Sequence, residues 1–265
     1  SAIQEKQLTT LGSNITALEV DGVFDDCQDM VKQAFLDTDI TNVKQLTSAN
    51  SINVARWLPQ LFYFMFAYKQ LHKQHEHIVF SIPSGNFGNI CAGMVAQQLG
   101  LPIHHFIAAN NENRVVTNYL KTGVYQPTQS IQTISNAMDV GNPSNFVRIQ
   151  EIYKNDFEAL KHNLTSYSFT DSETRQAMKD MYTNYNYVAD PHGAVGYLGC
   201  QSFLNNNPNN HCVFLETAHP TKFLDVVEET INQTIPLPKQ IKAVMDKKKS
   251  SIHIAKYKKL KDYLL

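Results

Sequence analysis

IVFSIP (residues 78–83), SGNFGN (84–89) and ICAGMVAQQLG (90–100), followed by LPIHHFIAA (101–109), decide how this chain folds. The first run is short, apolar and partly β-branched, which predicts a buried strand. The glycine-bearing hexapeptide breaks that pattern. Ile90, Cys91, Met94, Val95, Gln98 and Leu99 then recur at helical spacing, and Gly100 closes the helix. The run from Leu101 to Ala109 reads as a second strand. Strand, glycine loop, helix, strand is a βαβ unit, which implies a parallel sheet with a right-handed crossover.

The hexapeptide is also the first candidate site. A phosphate dianion needs several N–H donors converging on one point, and a loop entering a helix N-terminus supplies unpaired amides and the positive end of the dipole. Glycine permits close backbone approach and positive φ, so Gly85 and Gly88 suit such a turn. Asn86 and Asn89 add neutral side-chain donors. The loop has no lysine and lacks the P-loop and three-glycine dinucleotide patterns. A merely structural turn is the alternative reading.

Outward from this unit the α/β alternation continues. Ile15 to Val20 reads as a strand, and Asp25 and Asp26 open a helix. A polar link, LTSANSIN, leads to a helix from about Val54 to Leu71. Thr170 and Glu173 form a capping box for a helix running to about Tyr185. HCVFLETAHP (211–220) is another buried strand with a polar loop, and Thr221 to Ile231 reads as helical.

The chain has 265 residues, 43% hydrophobic and 18% charged, enough to bury a sizeable core. A formal net charge of −1 argues against an overall basic nucleic-acid binder. From Lys239 to Leu265, nine lysines against two acids give +7, and the rest of the chain carries −8. That basic end reads as a solvated terminal segment. Four cysteines without a CxxC pair suggest reduced thiols and a cytoplasmic protein. The longest apolar run, Trp57 to Tyr68, is too short to cross a membrane. The histidines at 72, 75 and 77 lack a metal-site pattern, so no metal is expected.

Three further motifs are candidates. Thr217, after the last strand of the alternation, sits where open α/β sheets gather ligands, though an ST-turn explains it equally well. Asn53 and Arg56 share one helix face, and a guanidinium fork suits phosphate or carboxylate. DVGNPSNFVR (139–148) is dense in turn formers and lines a pocket or enters a helix. His192 and His219 lie in candidate ligand loops, either as proton carriers or as loop hydrogen-bond partners.

Taken together, NSINVAR (50–56), PSGNFGN (83–89), SNAMDVGNPSNFVR (135–148) and ETAHPTKF (216–223) closely resemble threonine synthase. So does the opening LTTLGSNITALEVDGVFDDCQ. The likeness weakens beyond about residue 235. It implies a three-layer α/β architecture: a mainly parallel twisted sheet with helices on both faces, the tryptophan-synthase-β-like fold type II of pyridoxal-phosphate (PLP) enzymes, incomplete at its amino-terminal side. It implies conversion of O-phospho-L-homoserine and water to L-threonine and phosphate. By motif match, Gly85, Asn86, Phe87, Gly88 and Asn89 would hold the phosphate of PLP, and Thr217 would face its pyridine nitrogen. Asn53 and Arg56 would bind the substrate phosphate, with Ser144 and Asn145 in the same pocket.

One departure counts against activity. The family's Schiff-base lysine lies in an FKD-type motif that is absent here, and Lys6, Lys32, Lys44 and Lys222 stand in other contexts. No catalytic residue is therefore assigned. The chain is expected to be a carboxyl-terminal portion of such an enzyme and inactive alone, its partner being the absent amino-terminal part. The alternatives are a noncatalytic ligand-binding or regulatory relative, or another enzyme of the fold. Residues 1–50 would be what remains of a smaller mobile domain, 51–238 the large cofactor-phosphate domain and 239–265 a lysine-rich segment. Apolar surface left uncovered would favour self-association.

Overall fold

Successive side chains of a strand face opposite ways, so a strand that is apolar throughout must be covered on both sides. The computed structural model, which describes residues 2–265, meets that demand. Its strands are β1 (Ala17–Val20), β2 (Ile78–Pro83), β3 (His105–Asn110), β4 (Leu164–Ser168), β5 (His211–Phe214) and β6 (Ser251–Ile254). Four of them form one parallel sheet in the order β4-β3-β2-β5, while β1 and β6 pair in parallel on their own. In the larger sheet Val79 stands opposite His105 and Ile78 opposite His211, with β2 central and buried along its whole length.

Ile78, Phe80 and Ile82 share a core with Phe64, Ile90, Met94, Phe106 and Phe146. This joins one face of the sheet to the helices Leu61–Leu71, Gly88–Gln98 and Phe146–Ile152. Phe64 meets Phe80 edge-on at 5.0 Å between ring centres. The alternate residues serve the other face. Val79 and Ile107 pack with Phe203, and Ala109 with Val195, both from the helix Pro191–Leu204. Ser81 Oγ donates to the carbonyl of Gly196 (2.7 Å), which satisfies a fully buried hydroxyl. A β-carbon on Gly199 would stand 2.4 Å from Ser81 Oγ, so the glycine lets this helix lie close on the sheet. The helix–sheet–helix layering expected from the sequence is present.

Several local expectations change. The helix expected over 54–71 is interrupted by a 3₁₀ turn at Leu58–Gln60, where Pro59 cannot donate a backbone hydrogen bond. Leu164–Ser168 forms a strand beside β3 that the pattern did not announce. The helix expected from Thr221 begins at Leu224, after a 3₁₀ turn at Pro220–Phe223. The capping box at Thr170 and Glu173 is formed as read.

The chain divides into two units, Ser48–Pro220 and Ser1–Thr47 with Thr221–Leu265. The sequence reading set 239–265 apart. Packing groups it instead with the amino-terminal residues, because β6 pairs β1 and its lysines find acids there. Lys249 Nζ lies 2.6 Å from Glu5 and 3.0 Å from Glu19; Lys261 Nζ lies 2.9 Å from Asp37 and 2.6 Å from Asp39. Among the described residues, no helix is long and apolar enough to cross a membrane.

His105, at the start of β3, hydrogen-bonds Thr165 Oγ1 (2.8 Å) and stacks on Phe203. Burial, with His104 adding repulsion, pushes it down to about 4. Its unfolded value is roughly 6.5, so the unfolded state binds the extra proton between these limits. The stability tied to neutral His105 is therefore present above about pH 6.5 and lost as pH falls toward 4. Urea midpoints measured across that window should fall for the wild type and fall less steeply for H105Q.

Candidate functional site

β2 ends at Pro83 and the next helix begins at Gly88, so four residues turn the chain from sheet to helix. The turn is made by Phe87, with φ 61° and ψ 15°. A left-handed conformation costs a non-glycine residue about 1–2 kcal/mol. Its ring is buried and meets Phe146 edge-on at 5.7 Å, and burying a Phe contributes roughly 2–3 kcal/mol, so the core holds the turn. Neither glycine of the loop has positive φ. They are needed for close approach instead: a β-carbon on Gly85 would lie 2.7 Å from Met138 Cα and 2.8 Å from the carbonyl oxygen of Ala137, and one on Gly88 would lie 2.8 Å from Ser51 Cβ.

The backbone N–H groups of Gly85, Asn86, Phe87, Gly88 and Asn89 have no acceptor among the described residues. These five residues line an open cleft of about 880 Å³. Orphan donors at the first turn of an 11-residue helix, aided by its dipole, form a cradle for a phosphate dianion.

The asparagine side chains are spent on bracing the loop. Asn86 Nδ2 donates to Ser51 Oγ (2.9 Å), and Asn86 Oδ1 accepts from Ser144 N (2.6 Å) and Oγ (2.8 Å). Asn89 Nδ2 donates to the carbonyl of Pro83 (2.9 Å). Asn145, fully buried, donates to the Asn86 carbonyl (2.9 Å) and to Ser51 Oγ (3.1 Å). The Arg148 guanidinium donates to the carbonyls of Ser51 (3.2 Å) and Ile52 (2.7 Å) and to Asn145 Oδ1. The motifs SINVAR, SGNFGN and PSNFVR thus form one hydrogen-bonded block.

The wall opposite Gly85 is held by Asp139. Its carboxylate accepts from Thr133 Oγ1 (2.7 Å), Thr133 N (3.0 Å), Asn111 Nδ2 (2.9 Å) and Asn113 Nδ2 (3.2 Å). Burial raises its pKa against the pull of these donors. Ala137 N–H donates to His192 Nε2 (3.2 Å), which ties the same wall to the 191–204 helix.

Of the residues singled out from sequence, Gly85, Asn86, Phe87, Gly88, Asn89, Thr217 and Arg56 line one cleft. Asn53 caps the helix Val54–Trp57, accepting from Ala55 N (3.1 Å) and donating to the Ser48 carbonyl (3.0 Å). Ser144 and Asn145 bind the back of the loop, as described. Ser51, Arg148, Asp139 and Glu216 were not singled out. Only Arg148, one of four arginines, carried a signal that sequence reasoning could have used.

A parallel sheet with an amide cradle at a strand's carboxyl end is an arrangement that binds phosphate groups, those of cofactors among them, and comparison with known proteins makes this specific. The family model described as pyridoxal-phosphate dependent enzyme matches residues 1–217, and the chain belongs to that family. Within it the likeness is to threonine synthase, whose C-terminal model matches residues 193–264. Threonine synthase of Buchnera aphidicola subsp. Baizongia pistaciae is 42% identical over all of this chain and 61% of its own length. The crystal structure of Escherichia coli threonine synthase superposes with a TM-score of 0.94 at 39% identity, again over 100% of this chain and 61% of that one. PLP-bound threonine synthase from Brucella melitensis gives 0.86 at 31%, over 100% and 62%. The chain therefore spans about 61% of the length of these relatives.

The residues present fit the phosphate of PLP: five N–H groups with no acceptor among the described residues belong to the residues that line the open cleft. The close approach at Gly85 is tested by G85A. Its β-carbon meets backbone atoms rather than a yielding side chain, so the variant should lose about 1–3 kcal/mol of stability in urea unfolding.

Proposed function

We propose that this chain is the phosphate-binding portion of a threonine synthase, which converts O-phospho-L-homoserine and water to L-threonine and phosphate. The observation that carries this reading is the row of five amide N–H groups without acceptors in the cleft. PLP, when bound, draws electron density from the carbon skeleton of an amino-acid substrate. The chain's own residues bind and orient. Gly85 to Asn89 hold the phosphate through the backbone, where charge-assisted hydrogen bonds contribute about 1.5–3 kcal/mol each. Thr217 offers a hydroxyl at the pyridine nitrogen and, unlike a carboxylate, does not favour its protonation. Arg56, exposed on the same cleft, takes the substrate phosphate. Asn53, Ser144 and Asn145 serve that pocket by fixing the backbone around it.

In this reading the amine that joins the cofactor's aldehyde lies in the part of the relatives' length that this chain does not span. That no lysine lines the cleft among the described residues supports inactivity of the chain alone. The same observation favours a noncatalytic ligand-binding relative as the second reading. Val54, Leu58, Phe62 and Phe66 are exposed apolar residues of the 54–71 segment, against which the remaining part or a second copy packs. A cytoplasmic setting accords with four free thiols.

Two measurements on the purified chain test this. With PLP and O-phospho-L-homoserine added, phosphate release should stay at the level of a heat-killed control; turnover above it contradicts inactivity. PLP should bind reversibly, and borohydride should attach none of it to a lysine of the cleft.

A further inference from the structure

Glu216 immediately precedes Thr217, lines the same cleft, and has no part in the chemistry above. Its carboxyl rests on the first turn of the 191–204 helix. A β-carbon on Gly193 would stand 2.0 Å from Glu216 Oε2 and 2.7 Å from Oε1, so that glycine leaves the room the carboxyl occupies. Glu216 Oε1 accepts from Asp190 N (3.4 Å), which sets its carboxyl beside the Asp190 side chain, and Tyr187 also faces it.

Asp190 is the N-cap of that helix and fully buried. Its Oδ1 accepts from His192 N (2.8 Å) and His192 Nδ1 (2.6 Å). Its Oδ2 is buried and has no hydrogen-bond partner among the described residues. Asp190 is fully buried whereas Glu216 is exposed on the cleft, and a proton shared between two such neighbouring carboxyls removes the repulsion of a doubly charged pair. Burial opposes a charge on Asp190, but hydrogen bonds from His192 and Glu216 hold it below the usual range. Burial and Asp190 push Glu216 up to about 9. The groups facing Glu216 are thus Tyr187 and Asp190, with His192 behind Asp190.

We propose that Glu216 is a positioning residue: its protonated carboxyl donates to Asp190 Oδ2 and clips the loop after β5, which carries Thr217, to the first turn of the Pro191–Leu204 helix. The importance of the clip for ligand binding rests on the reading that Thr217 serves the cofactor ring; the clip itself does not.

The sign of its pH signature follows from linkage. Native Glu216 keeps a proton that the unfolded chain releases near pH 4.5, so its contribution to stability is full below that value and declines as pH rises toward about 9. In E216Q the amide donates to Asp190 Oδ2 at every pH. Thermal midpoints of the full chain from about pH 5.5 to about 8.5 should therefore fall for the wild type relative to E216Q. A ¹³C-labelled Glu216 carboxyl should titrate near the upper end of that range or above it. Parallel profiles for the two proteins, or a carboxyl that titrates near its ordinary value, overturn the clip.

PLP affinity, read by equilibrium dialysis, separates the two ideas. E216A should bind PLP about tenfold more weakly and E216Q within about twofold of wild type; equal losses in both contradict a role for the donated proton. If T217V leaves PLP affinity unchanged, the reading of Thr217 fails while the clip stands on its pH signature.

Discussion

Five consecutive peptide N–H groups with no acceptor among the described residues, at the end of a buried strand, are the constraint around which the larger unit is arranged. A loop that presents a row of donors to an open cleft gains no backbone hydrogen bonds of its own from them, so it is held by forces from elsewhere. Phe87 supplies one: it accepts a left-handed backbone because its ring is locked in the core. Asn86, Asn145, Ser144 and Arg148 supply the others, tying the loop to Ser51 and Ile52 through side-chain hydrogen bonds. The polar side chains of the loop are consumed in bracing, which leaves recognition to the backbone.

This division of labour explains what the sequence disclosed. The run IVFSIP is apolar on both faces and followed by a helical period, so β2, its helix and β3 are legible from spacing alone. Gly85 and Gly88 mark the loop correctly but for a different reason than positive φ: each glycine makes room for a neighbouring segment, 137–138 or Ser51, that is distant in sequence. Asn53, Ser144 and Asn145 stand in motifs that look like ligand contacts, yet their amides and hydroxyls face the protein. Residue type and spacing cannot reveal which way such a side chain points once the chain has folded. β4 escaped notice because LTSYS has neither strong alternation nor an apolar run, and its strand character comes from its place beside β3. Glu216 carried no local signal, since its environment is made by Asp190 and Tyr187, 26 and 29 residues earlier in the chain.

The smaller unit illustrates the same point with charge. A terminal segment of +7 reads from sequence as a solvated end. In the fold Lys249 and Lys261 each bridge two acids of the amino-terminal residues. Exposed pairs of this kind contribute little energy individually, typically below about 1 kcal/mol. Their effect is to set opposite charges from the two ends of the chain side by side in one unit.

The most direct test of the cradle is to watch the amides themselves. In ¹H–¹⁵N spectra of the labelled chain, titration with inorganic phosphate or PLP should move the N–H resonances of Gly85 to Asn89 downfield together, as each gains a charged acceptor. Shifts elsewhere in the chain with these five unmoved would contradict the account.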